Sequence, residues 1–266
     1  MKGIDRISGV FTPDRKIALM AHAVCGYPDM EASREVMAAM AQAGAAIIEA
    51  QLPFSEPSAD GPLIIEANHA ALRAGATTKA CLRMLAALRK ETSAPILAMS
   101  YLNPIFAYGP EAFTRALVEA GLDGAVVPDL PDDEPDPPPQ RLFAEAGVGL
   151  VPLIAPSTSL ERARELAAAS SSPLVYVVLR LGVTGRRTEI DAAARKRLAD
   201  LHQATGKRVA AGFGIRERSQ VEDLAGSADC AVVGSAVLAE IRRALESGRD
   251  PAEAARSFVA GLLCRD

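Results

Sequence analysis

The feature that most constrains the fold of this 266-residue chain is a regular alternation of short apolar segments with longer helical patterns. Each apolar segment is hydrophobic on both faces, which is typical of strands buried in a parallel sheet with crossover helices. A helix-sized stretch follows each of eight such segments: 18–24, 45–51, 95–101, 124–129, 149–155, 174–179, 208–214 and 230–235. Eight strand–helix units in roughly 250 residues predict a closed (β/α)₈ TIM barrel of the α/β class.

The main alternative architecture is an open, doubly wound sheet. Such a sheet usually carries a glycine-rich dinucleotide loop after an early strand, and the sequence contains neither GxGxxG nor GxxxxGK[ST]. The proline-rich segment 131–140 is short and follows the fourth predicted strand, so we interpret it as a stiff loop rather than a linker. The sequence therefore predicts one domain over residues 1–266, with a short N-terminal segment that caps the bottom of the barrel.

Composition and charge restrict the classes of function. Hydrophobic residues make up 49% of the chain, and the net charge of −4 comes from interspersed acids and bases, which indicates no basic face for nucleic acid. The start lacks the apolar core of a signal peptide, and no run reaches the roughly 18 apolar residues of a membrane span. Four scattered cysteines form no CxxC pair. We therefore expect reduced thiols and a cytoplasmic location.

Polar side chains occur where predicted strands end, which is where barrels place their chemistry. Glu49 ends the second strand, and the loop after it carries Asp60. Tyr101 and Asp129 end the third and fourth strands, and Tyr176 lies in the sixth. A strand-end carboxylate is most often a cap or a salt-bridge partner, and a strand tyrosine is more often a core residue. Their convergence on one rim favours a catalytic site, because burying unpaired acids is costly.

Two glycine-bearing turns, at 212–214 and 234–236, follow the seventh and eighth predicted strands. This is the usual barrel position for a phosphate group, since small residues let backbone N–H groups approach the oxygens at a helix N-terminus. Ser235 adds a hydroxyl donor to the second turn. The sequence therefore predicts a substrate that carries a phosphate.

Lysines and histidines limit the chemistry available to this site. Barrels that cleave carbon–carbon bonds often use a Schiff-base lysine or a metal ion as electron sink. None of the six lysines lies at the carboxyl end of a predicted strand, and His22, His69 and His202 are too dispersed to suggest a metal site. We expect neither metal nor cofactor, so in a carbon–carbon cleavage the substrate itself would accept the electrons.

The segment PFSEPSADGP (53–62) resembles the PFSDPxADGP signature of the tryptophan synthase α chain family. The resemblance covers nearly the whole chain, in the family's order: GYPD (26–29), SYLNPIFAYG (100–109), VPDLP (127–131), LGVTG (181–185), GFGI (212–215) and GSA (234–236). It implies a barrel that cleaves indole-3-glycerol phosphate to indole and glyceraldehyde 3-phosphate without a cofactor, in tryptophan biosynthesis. It also implies an α2β2 complex with a pyridoxal-phosphate β chain, to which indole passes.

The resemblance also implies roles for individual residues. Glu49 matches the general acid–base that protonates indole C3 and helps deprotonate the side-chain hydroxyl, and Asp60 matches the acceptor of the indole N–H. Tyr176 matches the family's active-site tyrosine, and Tyr101 its ring-packing aromatic. The phosphate-binding segments of the family match Gly185, Phe213, Gly214, Gly234 and Ser235.

Several positions depart from the family pattern. His22 stands where the family usually packs a phenylalanine on the indole ring, and Val24 replaces a usual threonine. Gln51 and Glu56 replace a usual glycine and aspartate near the catalytic strand, and Leu181 stands just before GVTG. We therefore count His22 and Asp129 among the candidate substrate-binding residues and expect an altered surface toward the β chain.

Three functions remain open at this point. The first is an indole-3-glycerol phosphate lyase of α-chain type that works with a β chain. The second is a stand-alone lyase that releases indole, or a related aromatic, for another pathway. The third is a catalytically weak homologue that binds and activates a partner subunit. An activity assay on the isolated chain, with and without a β chain, separates them.

Overall fold

The structure is a computed structural model that describes residues 3–130, 139–179, 190–212 and 214–263. Most of the proline-rich loop therefore lies outside the described residues. The same holds for the loop that contains Leu181 and Gly185, and for Phe213.

All strands in the described part of the chain belong to one parallel sheet. Its strands are β1 (Ala18–Val24), β2 (Ile47–Gln51), β3 (Ile96–Met99), β4 (Gly124–Val126), β5 (Gly149–Leu150), β6 (Leu153–Ile154), β7 (Leu174–Val178), β8 (Arg208–Gly212) and β9 (Cys230–Val233). Their spatial order is β5-β4-β3-β2-β1-β9-β8-β7-β6.

The sheet closes on itself through the fifth predicted strand, 149–155. β5 and β6 stand at opposite ends of the spatial order, yet only Val151 and Pro152 separate them in the chain. The Val151 N–H donates to Ala125 on one side at 2.8 Å, and the carbonyl of Pro152 accepts the Tyr176 N–H on the other at 2.8 Å. β5 and β6 are thus two halves of one strand, interrupted where proline offers no N–H group. The predicted (β/α)₈ barrel is confirmed.

Helices surround the sheet on its outer face. They are α1 (Gly3–Gly9), α2 (Met30–Gln42), α3 (Pro62–Arg73), α4 (Thr78–Leu88), α5 (Leu102–Tyr108), α6 (Pro110–Glu119), α7 (Pro139–Glu145), α8 (Leu160–Ala169), α9 (Ala192–Thr205), α10 (Arg218–Leu224), α11 (Ser235–Glu246) and α12 (Pro251–Leu262). Short polar residues start several of them: Asp29 and Asp191 accept the N–H groups of Ala32 and Ala194. Such N-caps satisfy donors that a helix leaves free. None of the described helices is long and apolar enough to cross a membrane.

Buried side chains form two cores, because alternate residues of each strand point to opposite faces of the sheet. The larger core lies between sheet and helices, and the smaller one fills the barrel with residues such as Met20, Ile47 and Leu97. Ile7 of α1 is fully buried against this inner core, so the N-terminal helix closes the bottom of the barrel as predicted.

The N-terminal helix is also fixed by a buried carboxylate. Asp123, which is fully buried ahead of β4, accepts the Ile96 N–H at 2.8 Å and pairs with Arg6 of α1 and with Arg89. Burial raises the pKa of Asp123, and these partners oppose the rise. These contacts give the residues at the bottom of the barrel a structural role. The candidate catalytic residues lie at the opposite end.

Candidate active site

A cavity of about 240 Å³ opens at the carboxyl ends of the strands. His22 of β1, Glu49 of β2, Asp60 from the loop before α3, and Tyr176 of β7 project into it. Apolar side chains complete much of the wall: Ile64, Met99, Val126, Leu153, Val178 and Val232. The alternation of strand side chains explains most of this gathering, because His22, Glu49 and Tyr176 all lie on the inner face of the barrel.

Glu49 is buried, with 4% of its surface exposed, and it has a histidine as neighbour. Its Oε2 lies 2.9 Å from Nδ1 of His22, which is its register partner on β1. Burial lowers the pKa of His22, but the hydrogen bond and negative charge of Glu49, the charge of Asp60 and a contact with Gln51 outweigh it, so the pKa is raised above 6.5. The structure thus pairs the predicted acid–base residue with a buried imidazole that favours its protonated form.

Asp60 is held by two donors on one oxygen. Its Oδ2 accepts hydrogen bonds from Nε2 of Gln51 at 2.7 Å and from the hydroxyl of Tyr101 at 2.9 Å. Burial raises the pKa of Asp60, while the charge of His22 and these two hydrogen bonds oppose the rise. Because both donors bind Oδ2, the carboxylate is fixed in orientation while Oδ1 stays outside these two bonds.

Tyr176 crosses the barrel interior close to a glycine. A Cβ atom on Gly212 would lie 2.8 Å from the Tyr176 hydroxyl, so the ring can lie there only because residue 212 has no side chain. Burial, together with the charges of Glu49 and Asp60, raises the pKa of Tyr176 well above its usual 10, and the group is a neutral phenol at physiological pH. The sequence interpretation assigned 212–214 to a phosphate turn and missed this role, although an inward-facing glycine in a strand often marks a close approach.

Glycine turns and the start of a helix form another part of the cavity wall. Gly214, with a φ of +81°, lines it together with Gly234 and Ser235. α11 begins at Ser235, and its N-cap residue is Gly234, which has no side chain to cap the free N–H groups. Helix N-termini bind anions through these groups and the helix dipole. Arg216 also lines the cavity and adds a positive charge that the sequence interpretation did not single out.

Two predicted residues lie beside the cavity rather than in its wall. Tyr101 is fully buried, donates to Asp60 and accepts the Ala59 N–H at 3.1 Å. Asp129 accepts the N–H of Leu102 at 2.9 Å, at the start of α5, and burial raises its pKa. Both therefore support loops around the site, and neither lies in its wall. Gly185 and Phe213 lie outside the described residues.

The remaining histidines and the described cysteines do not line this cavity. His69 bonds the carbonyl of Ser55, and His202 lies 3.7 Å from Asp229 at the opposite end of the barrel. The cysteines that the structure describes, Cys25, Cys81 and Cys230, are buried and free. In the described ranges, no three histidine, cysteine or acidic side chains are grouped as metal ligands.

Together, the barrel, the two buried carboxylates and the exposed helix N-terminus define an acid–base barrel enzyme with a site shaped for a small anionic substrate. Comparison with known proteins gives the family. A sequence model described as tryptophan synthase alpha chain matches residues 11–262. The chain belongs to the tryptophan synthase alpha chain family.

Individual relatives agree with this assignment. The tryptophan synthase alpha chain of Syntrophotalea carbinolica is 39% identical over 250 residues, covering 93% of this chain and 95% of that protein. That of Xanthomonas oryzae pv. oryzae is 38% identical over 264 residues, covering 98% and 97%. The crystal structure of the alpha chain from Legionella pneumophila superposes with a TM-score of 0.86 at 29% identity, over 98% of this chain and 96% of that one.

Proposed function

We propose that this chain is a carbon–carbon lyase that cleaves indole-3-glycerol phosphate to indole and glyceraldehyde 3-phosphate, as the alpha chain in tryptophan biosynthesis. The observation that carries the proposal is the placement of Glu49 and Asp60 in one cavity with the uncapped N-terminus of α11. An acid–base group, an acceptor for a ring N–H and a phosphate cradle are what this retro-aldol reaction requires.

Glu49 supplies the proton transfers. It protonates C3 of the indole ring and takes the proton of the side-chain hydroxyl, so the net proton count is unchanged. The carbon–carbon bond then breaks, its electrons return to the ring, and the hydroxyl carbon becomes the aldehyde. A group that transfers protons in both directions works best when it is oriented and shielded from water. The buried position of Glu49 and its hydrogen bond to His22 provide both.

Asp60 stabilises the positive charge that develops on the ring nitrogen after C3 is protonated. Its orientation by Gln51 and Tyr101 precedes substrate binding, so no reorganisation is needed during the reaction. Tyr176 is a neutral hydroxyl that bounds the ring site. No metal or cofactor takes part in these steps.

The phosphate binds where the start of α11 and the Gly214 turn line the cavity. Backbone N–H groups at Gly234 and Ser235, the Gly214 turn and the charge of Arg216 support this placement. We assign Gly185 and Phe213 to the same subsite by the family resemblance alone.

The protein acts with a tryptophan synthase β chain, which takes up the indole. Phe106 of α5, which follows β3 at the active-site end of the barrel, is 42% exposed and offers an apolar contact for that partner. We further propose that residues 1–266 act as one domain and that the enzyme works in the cytoplasm.

The test is a steady-state assay of glyceraldehyde 3-phosphate release by the isolated chain, repeated with a β chain. Glu49→Gln keeps the size of the side chain and removes the base, so cleavage should fall roughly 10²–10⁴-fold while substrate binding changes little. Glu56→Gln, at an exposed position in the loop after β2, is the matched control and should keep the wild-type rate of the isolated chain. Wild-type rates in Glu49→Gln would refute the assignment. A chain that never cleaves the substrate but stimulates the β chain would instead be an activator.

A further inference from the structure

Two departures from the family pattern, His22 and Gln51, meet inside this site. In the β1–β2 register, His22 lies opposite Glu49, and Val24 lies opposite Gln51. Glu49 and Gln51 are two residues apart on one strand, so both side chains point into the barrel, as does that of His22. A position that usually holds an apolar ring and one that usually holds no side chain are both occupied here by buried polar groups.

The polar atoms of these side chains make two hydrogen bonds, one to each carboxylate. Nδ1 of His22 contacts Oε2 of Glu49 at 2.9 Å, and Nε2 of Gln51 donates to Oδ2 of Asp60 at 2.7 Å. Because the amide nitrogen of Gln51 is used by Asp60, its oxygen is the atom left for His22.

One polar atom of each side chain remains, Nε2 of His22 and Oε1 of Gln51. Both atoms are buried and have no hydrogen-bond partner among the described residues. Gln51 nevertheless lies near enough to His22 to raise the pKa of the imidazole. Leaving a donor and an acceptor buried and unpaired is costly. A hydrogen bond between these two atoms would satisfy both groups at once.

We propose that His22 and Gln51 form a positioning bridge that links Glu49 to Asp60 and orients both carboxylates for the reaction. This inference rests on the proposed function of the same site. The bridge binds Oε2 of Glu49 and Oδ2 of Asp60, so the second oxygen of each group is presented to the substrate. The usual family pair of an apolar ring and a glycine would allow no such link.

The bridge requires a doubly protonated imidazole. Nδ1 faces a carboxylate oxygen and Nε2 faces an amide oxygen, so both ring nitrogens must donate. Among the described residues, the other ionisable groups that share the barrel interior or the cavity with His22 are Glu49, Asp60, Tyr101, Tyr176, Cys230 and Arg216. Burial raises the pKa values of Tyr101, Tyr176 and Cys230, so these three groups stay neutral, and the two carboxylates favour the imidazolium.

The alternative role for His22 is that its ring only packs on the substrate. A ring-packing residue contributes to binding and changes KM, whereas a positioning residue changes kcat. His22→Phe keeps a ring and removes both donors, and His22→Asn keeps a donor near the position of Nδ1. We expect kcat to fall about tenfold or more in His22→Phe and to recover in part in His22→Asn, with KM changed by less than about threefold.

The control variants make the same two substitutions at a histidine far from the cavity. His202→Phe and His202→Asn remove an imidazole at the opposite end of the barrel and should leave kcat and KM unchanged. If His22→Phe fails to fold, the His22→Asn and Gln51→Gly variants carry the same test, because each removes one link of the bridge.

A double-mutant cycle tests the link itself. Gln51→Gly alone should lower kcat, and the double variant His22→Phe/Gln51→Gly should lose no more than His22→Phe alone, because one broken bridge cannot be broken twice. Losses that multiply would show two independent side chains and overturn the proposal.

The pH profile gives the second readout. The wild-type kcat should fall as pH rises through the raised pKa of His22, since Nε2 then loses its proton and faces an acceptor. This alkaline step should be absent in His22→Asn. A retained step, or a change in KM with kcat intact, would overturn the proposal. A wild type that does not cleave indole-3-glycerol phosphate would instead contradict the proposed function.

Discussion

At the scale of single residues, Asp60 shows how this site trades stability for chemistry. Its side chain is 4% exposed, and burial raises its pKa above the usual 3.8 despite the charge of His22 and the two hydrogen bonds. A carboxyl group whose pKa is raised on folding stabilises the fold below its unfolded pKa, and this contribution is lost as pH rises through the raised value. At neutral pH the Asp60 carboxylate is therefore expected to cost stability.

Asp60→Asn should accordingly make the protein more stable and less active. We expect the free energy of unfolding at neutral pH to increase by roughly 0.5–2 kcal/mol, because asparagine needs no charge desolvation. The gain should shrink as the pH falls toward 4, and cleavage should drop about 10²–10³-fold because the neutral side chain cannot offset a developing cation. Urea denaturation at both pH values and a steady-state assay measure the two effects. The exposed Asp14→Asn variant is the control, and a less stable Asp60→Asn at neutral pH would contradict the argument.

The sequence predicted which residues surround the site better than it predicted their contacts. Glu49 and Tyr176 could be placed because strand ends and strand alternation are local features. The hydroxyl of Tyr101 on Asp60 could not be predicted, because the two residues are 41 positions apart and meet only when the barrel closes. The hydrogen bond of Asp129 to the Leu102 N–H has the same origin, with 27 positions between the partners.

At the scale of elements, the N-terminus of α11 is the part of the site that depends on backbone rather than side chains. Ser235→Asp would put a negative charge against the proposed phosphate. We expect binding of the substrate and of glyceraldehyde 3-phosphate to weaken about tenfold or more, while indole alone binds as before. Calorimetric titration of the three ligands measures this difference. Ser235→Asn is a neutral control of the same size, and equal loss for all three ligands would indicate misfolding.

The predicted strands show where local pattern stops determining structure. The first strand has the predicted bounds, but β3 and β4 end at Met99 and Val126, before the predicted ends at 101 and 129. Beyond these strand ends, Tyr101 and Asp129 make hydrogen bonds to Asp60 and to the Leu102 N–H instead of continuing the sheet. The fifth strand is divided at Val151 and Pro152, where proline offers no N–H group to the ladder. Neither effect can be predicted from hydrophobicity within one segment.

At the scale of the whole molecule, the two ends of the barrel have separate tasks. α1, with Ile7 and the Arg6–Asp123 pair, seals the bottom, and the carboxylates lie at the top. The number of strand–helix units determined this architecture, since only closure covers both edges of an eight-stranded parallel sheet. The exposed side chains at the active-site end determine which partner binds there. No periodic pattern in the sequence identifies these side chains.

Phe106 is the residue that tests the proposed partnership. It lies on α5 at the active-site end, and a large exposed aromatic side chain there fits the kind of residue that dominates binding at interfaces. Phe106→Asp should leave the rate of the isolated chain unchanged, because the side chain does not line the cavity, and should weaken association with a tryptophan synthase β chain at least about tenfold. Val118, near the end of α6, has a similarly exposed side chain. Val118→Asp should affect neither the rate nor the association. The measurement is the concentration of added β chain that gives half-maximal stimulation of cleavage, for wild type and both variants. If Phe106→Asp responds at the wild-type concentration, the β chain docks elsewhere and the exposed aromatic side chain has no part in the interface.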